Sequence, residues 1–364
     1  MSRLTQALAS KRVVICAGAG GVGKTTVSAA VALGLAIQGR RVALVTIDPA
    51  RRLAEALGLD ALDNRPQPVA LARLEESGKH ARGELFAMML DSKRTFDELI
   101  ELLAPDPRTK EQILANPIYG HISTAVAGSQ EYTAIAKLFE IEHAHEYDVI
   151  VLDTPPSRHA IEFLEAPDRL TGFLEGRALN VLLRPSGRAM RAAGIVFAAL
   201  RRITGVALLD DLTTLFRLLA GLLDGFRRRA ADVEALLGDP GTGFLIIASP
   251  EQSAVDEAVF FAAELARAGF HRCGVIVNRV HPLDSETHDA VAVAARLHER
   301  LGPKLAGKVA GTHVEVQRLA ARDAGAVARL LGALGDDPIC LPDRDTDVHD
   351  IASLVDLCTD LFAG

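Results

Sequence analysis

Residues 13–26 read Val13-Val14-Ile15-Cys16-Ala17-Gly18-Ala19-Gly20-Gly21-Val22-Gly23-Lys24-Thr25-Thr26, and this stretch decides the fold. Gly18 to Thr25 make a complete G-x-x-x-x-G-K-[ST] phosphate-binding loop. The apolar run before it predicts a strand, and Val27-Ser28-Ala29-Ala30-Val31-Ala32-Leu33 after it predicts a helix, which is the context the motif requires. The glycines let the backbone turn with several N–H groups pointing inward. Lys24 offers a point charge to β/γ-phosphates, Thr25 offers a hydroxyl to Mg²⁺, and the helix lends its positive N-terminal end to the anion. The candidate nucleotide-binding segment is therefore Gly20, Gly21, Val22, Gly23, Lys24, Thr25 and Thr26. A glycine-rich turn that merely joins two elements is the bland alternative.

Working outward, short β-rich runs recur at 12–17, 42–48, 84–90, 148–153, 244–249 and 273–278. Most are continuously apolar rather than alternating, as strands buried on both faces are, and helical stretches lie between them. The pattern predicts a doubly wound α/β fold of P-loop NTPase type with a mostly parallel sheet. In such a sheet, residues just past the carboxyl ends of the strands face the ligand crevice. Asp48, after Thr46-Ile47, and Asp153, after Val149-Ile150-Val151-Leu152, should therefore converge there with Lys24. Thr25, Asp48 and Asp153 are the candidate Mg²⁺ ligands, since that ion takes a few carboxylates together with phosphate oxygens. Singly, each Asp would serve as well as a helix cap or turn former.

The intervals 92–146 and 160–240 are too long for simple crossovers and read as helical insertions. In the second, Leu212, Leu215, Phe216, Leu219, Leu222, Leu223 and Phe226 fall at three- and four-residue steps, which predicts one helix face. That face is either core or a groove for an apolar client helix. Gly238-Asp239-Pro240-Gly241-Thr242-Gly243 reads as the return from insertion to sheet.

Composition narrows the partners. Net charge is −7 over 364 residues, and the arginine clusters lack aromatic interleaving, so nucleic acid is not expected as a partner. Cys16, Cys273, Cys340 and Cys358 are far apart and form no Cys-x-x-Cys or Cys/His ligand pattern. No secretory segment and no 18-residue uncharged apolar run is read, so the expectation is a cytoplasmic chain without an integral membrane segment.

These residues carry a resemblance. Gly20 to Thr26, Asp48-Pro49-Ala50, Asp153-Thr154-Pro155-Pro156-Ser157-Arg158-His159 followed by Phe163-Leu164-Glu165-Ala166-Pro167, and Val277-Asn278-Arg279 together resemble the arsenite-pump ATPase family, which includes the guided-entry ATPase for tail-anchored membrane proteins. The resemblance covers nearly the whole chain, including both helical insertions, and implies one P-loop ATPase domain over 1–364 with the insertions forming a helical subdomain. It implies ATP and Mg²⁺ as cofactors, with Asp48 opening switch I and Asp153 opening switch II. Asn278 would read the adenine edge, and the loop around Leu341-Pro342-Asp343, including Pro342, would close over the base. Nothing after Asn278 resembles the Asn-Lys-x-Asp guanine reader, which favours ATP over GTP.

Three departures stand out. Relatives commonly place at position 19 a lysine that reaches across a dimer to the partner's phosphates, and here it is Ala19. The water-positioning Asp of switch I aligns with Glu55, which either orients water or is an ordinary exposed helical residue. Arg158 stands where relatives hold Gly, and is either a replacement cation or a surface arginine. With Lys24, Asp48 and Glu55 as the candidate catalytic set, the leading expectation is an ATPase whose nucleotide state switches a dimer acting on a partner or apolar client helix. The partner chain would be an identical copy or, in a hetero-oligomer, a lysine-bearing paralogue. The alternatives are an ATP-binding scaffold or weakly active subunit, and a positioning ATPase of the partition or division-site type. Arsenite efflux is disfavoured, because the cysteines are isolated and the chain has one nucleotide loop where the pump subunit has two.

Overall fold

Val13, Ile15 and Ala17 face one side of the first strand and Val14 and Cys16 face the other, and all five are buried. That alternation between two apolar cores runs through the whole sheet, which is why its strands read as continuous hydrophobic runs. The structure, a computed structural model, describes residues 2–47, 51–71, 80–120, 123, 130–154, 206–282, 289–344 and 346–363.

In chain order the first elements are α1 (Arg3–Leu8), β1 (Val13–Ala17), α2 (Lys24–Ile37), β2 (Arg41–Thr46), α3 (Arg51–Ala56), β3 (Gln67–Pro68) and β4 (Glu84–Met89). Next come α4 (Ser92–Leu103), α5 (Pro107–Leu114), α6 (Gln130–His143), β5 (Val149–Asp153), α7 (Val206–Ala220) and α8 (Leu223–Gly238). The chain finishes with β6 (Thr242–Ala248), α9 (Gln252–Ala268), β7 (Arg272–Val280), α10 (Ala290–Leu334), β8 (Ile339–Pro342) and α11 (Ile351–Phe362). Gly302, at φ 73°, with Pro303 behind it, kinks α10.

The strands form one eight-stranded sheet in the order β3-β4-β2-β5-β1-β6-β7-β8. Only the short edge pair β3–β4 is antiparallel. The doubly wound, mostly parallel α/β fold expected from the sequence is the fold observed. Two strands go beyond that expectation: β3 is only two residues long, and β8 occupies a stretch whose prolines read as a loop.

One core lies under α4–α9, with Val45, Leu152, Phe244, Ile246 and Val277 from the sheet. The other lies under α1, α2, α3 and α11, with Val14, Leu44, Val151, Leu245 and Ile276. Burying one such Val, Leu or Ile contributes about 1.5–3 kcal/mol. Helix α2 is rich in small residues where it packs between the sheet and α11: a Cβ on Gly34 would lie 2.1 Å from the Phe362 ring.

The apolar stripe of the second insertion needs correcting. It does not run along a single helix face, because the chain breaks at Gly221–Leu222 and the stripe divides between α7 and α8. Leu215, Leu219, Leu222 and Phe226 are all buried in the core beneath the sheet, with Phe226 stacked near Phe96. Among the described residues, the core reading of that stripe is the one the packing supports.

Candidate nucleotide site

The loop after β1 is shaped by contacts that admit no side chain at two glycines. A Cβ on Gly18 would lie 1.9 Å from the Ile247 carbonyl oxygen of β6. At Gly23 φ is 88°, and a Cβ there would come within 2.4 Å of the Asn278 amide. Gly23 is also the residue before α2, whose opening N–H groups lack intrahelical acceptors and face the loop. Lys24 is buried, and its Nζ donates to the Ala19 carbonyl across the loop at 2.7 Å.

Asp153 closes β5 at the level of Thr46 in β2 and Cys16 in β1. It is 1% exposed, and hydroxyls converge on it. Thr25 Oγ1 donates to Oδ2 at 2.7 Å, Thr46 Oγ1 donates to the same oxygen at 2.9 Å, and Ser28 Oγ approaches Oδ1 at 3.4 Å. Thr154 then ties the chain back to β1 through its hydroxyl, which donates to the Cys16 carbonyl at 2.8 Å. The motif threonine and a strand-end carboxylate are thus in direct contact. Hydroxyl and carboxylate oxygens are the donor types a small hard cation takes.

In front of them opens a cleft of about 880 Å³, lined by Gly21, Gly23, Lys24, Thr25, Thr26, Glu55, Asn278 and Pro342 among others. Glycine cradle, buried lysine, helix N-terminus and oxygen pair fit a nucleotide phosphate with a divalent cation. The family model described as anion-transporting ATPase matches residues 11–301. The chain belongs to the anion-transporting ATPase family.

Relatives agree at low identity. The chain is 28% identical over 281 residues to an arsenical pump-driving ATPase of Acidiphilium multivorum, a span covering 76% of this chain and 41% of that protein. It is 31% identical over 157 residues to the ATPase GET3 of Malassezia globosa, 43% of each chain. With an ATPase ASNA1 homologue of Cryptosporidium parvum it shares 26% over 273 residues, 74% of this chain and 66% of that one. The chain thus spans about two-fifths of the length of the first of these relatives.

Set on this member of the anion-transporting ATPase family, the sequence-derived site residues divide into three groups. Thr25, Lys24 and Asp153 lie together at the loop. Asn278 and Pro342 line the cleft from β7 and the end of β8, and Glu55, exposed on α3, lines it beside Leu53 and Ala56. Asp48 and Arg158 lie outside the described residues. Asn278 Nδ2 is engaged with the Val22 carbonyl at 2.9 Å, so its amide braces the loop as well as facing the cleft. Pro342 ends strand β8 rather than sitting in a loop, and the wall continues through Asp343, Arg344, Thr346, Asp347, Val348 and His349.

Ser28 and Thr46 escape sequence reading as partners of Asp153, since hydroxyls on buried elements carry no distinguishing sign. Arg344, Thr346, Asp347, Val348 and His349, which continue the wall beyond Asp343, escape it too, because the strand ahead of them is only four residues long. The thiols are set away from chemistry: burial pushes Cys16 up, raises Cys273 to about 12, and raises Cys340 as well. Among the described residues no helix is long and apolar enough to cross a membrane.

Proposed function

We propose that this chain binds Mg²⁺-ATP at the 18–25 loop and hydrolyses it, using the nucleotide state to switch a dimer that acts on a partner or an apolar client helix in the cytoplasm. The observation that carries the nucleotide reading is the contact of Thr25 with buried Asp153 beside Lys24. Loop N–H groups and Lys24 hold the β/γ-phosphates, Thr25 and Asp153 with Asp48 hold the cation, and Asn278 and Pro342 flank the base. Mg²⁺ held by these residues would supply charge neutralisation to the phosphates. Glu55, which lines the cleft from α3, orients the attacking water together with Asp48. The four cysteines, Cys16, Cys273, Cys340 and Cys358, are widely separated in sequence, which favours this reading over soft-metalloid capture by a cluster of thiols.

Ala19 favours a second reading of the oligomer. It is a buried apolar residue whose carbonyl serves Lys24, and it cannot donate a charge to a partner's site. A cation supplied in trans is worth about 10³–10⁵ in rate in other NTPases. A hetero-oligomer with a lysine-bearing paralogue, or a slow ATPase or scaffold, accommodates that loss. If the charge matters, Ala19→Lys accelerates turnover; unchanged turnover removes this second reading.

Calorimetry tests the site itself. Wild-type protein should bind Mg²⁺-ATP more tightly than Mg²⁺-GTP, and Lys24→Ala should weaken ATP binding by at least about 100-fold, because a phosphate loses its charged hydrogen-bond donor. Undiminished affinity in Lys24→Ala would sink the assignment.

A further inference from the structure

Asn278 and Arg279 are consecutive residues of β7, and in a regular strand their side chains would stand on opposite faces of the sheet. Both instead reach the phosphate loop: Asn278 Nδ2 donates to the Val22 carbonyl at 2.9 Å and Arg279 Nη1 to the Gly21 carbonyl at 3.2 Å. A bulge makes this possible. Val277 is in register with Cys340 but Val280 with Pro342, so β7 carries one residue more than β8 across the step. Arg279 absorbs it with φ at 63°, in the left-handed region. Bulges of this kind re-aim side chains beside active sites.

A left-handed backbone is disfavoured for a residue with a Cβ, and it persists where the neighbours over-determine it. Here they do so from both sides. Ahead lies the Asn278–Val22 bond. Behind, the Val280 carbonyl accepts the Asp343 N–H at 3.0 Å, and His281 presents its N–H at 3.0 Å and its ring Nδ1 at 2.7 Å to one oxygen of Asp323. Asp323 is fully buried on α10, with its other oxygen covered by Arg322 at 2.8 Å. The brace fixes the one residue between them.

The braced residue carries a guanidinium that is exposed in the cleft lined by Gly21, Gly23, Lys24 and Thr25. Its hydrogen bond to a neutral carbonyl occupies one of five donors, and among the described residues no carboxylate pairs with it. A planar cationic fork held at a phosphate loop matches phosphate oxygens. We infer that Arg279 is a second phosphate contact, supplied in cis, for the nucleotide bound at the loop. The inference rests on the nucleotide reading proposed above and gives Asn278 and Arg279 different duties, base and phosphate, from one bulge.

The test is calorimetry with Mg²⁺-ATP, Mg²⁺-ADP and adenosine on wild type, Arg279→Gly and Arg279→Lys, with a thermal melt of each. Glycine removes the guanidinium and also relieves the left-handed backbone, so the Tm of Arg279→Gly should stay or rise. Its affinity for ATP and ADP should fall roughly 10- to 100-fold while adenosine binding is unchanged. Arg279→Lys keeps the charge without the fork and should recover part of the loss. Unchanged ATP affinity in Arg279→Gly overturns the inference and leaves the site reading intact. Equal losses for all three ligands also overturn it, since they place the side chain's effect on the base or on loop shape. A wild-type protein that does not bind ATP removes the site reading and this inference with it.

Discussion

A carboxylate as buried as Asp153 destabilises a fold unless its oxygens are hydrogen-bonded, and the hydroxyls of Thr25 and Thr46 both donate to its Oδ2, while that of Ser28, at 2.8 Å from the Lys24 carbonyl, lies 3.4 Å from Oδ1. Thr46→Val leaves that carboxylate short of a donor and should cost about 1–3 kcal/mol in a urea titration. Asp153→Asn tests chemistry rather than folding: nucleotide should still bind, while Mg²⁺-dependent turnover is lost. If Glu55→Gln keeps the wild-type rate, the water-orienting duty given to Glu55 is wrong. At this scale Lys24, Thr25 and Asp153 are legible in the sequence because a spacing rule and a strand end identify them. Arg279 is not, because the bulge that aims it arises from mispairing between two strands and has no local sequence sign.

Among the elements, α7 and α8 show where periodicity misleads. Leu215 to Phe226 keep helical spacing across Gly221–Leu222, so the residue pattern alone does not reveal the break, yet the buried face continues from one helix to the next. Leu215→Ala should cost about 2–5 kcal/mol in denaturant, as a core leucine does; a loss below about 0.5 kcal/mol would place it on the surface instead. Helix α11 is held at its start by a reciprocal capping box between Asp350 and Ser353. The Ser353 hydroxyl, and next its N–H, hold the Asp350 carboxyl below the usual carboxylate range. With the folded value depressed, the stabilisation is present above the unfolded value near pH 4 and is lost as pH falls through the folded value. Wild type should therefore exceed Asp350→Ala by about 1 kcal/mol at neutral pH, with the gap closing below about pH 4. A gap independent of pH would contradict the charged cap.

Across the whole molecule, strand order β4-β2-β5-β1-β6-β7-β8 brings the phosphate loop, Asn278 and Pro342 to one cleft although they are distant in sequence, with Asp153 buried behind Thr25. The α/β class and its mostly parallel sheet are legible because strands buried on both faces read as unbroken apolar runs. The lateral strand order is not, since nothing in a strand's own residues names its neighbours. Steady-state ATP hydrolysis by purified wild type, Lys24→Ala and Asp153→Asn tests most directly the proposal that this convergence serves as a single catalytic edge. Wild type should turn over ATP slowly and only with Mg²⁺, and neither variant should rise above background. Equal turnover in all three proteins would contradict a catalytic edge built on Lys24 and Asp153.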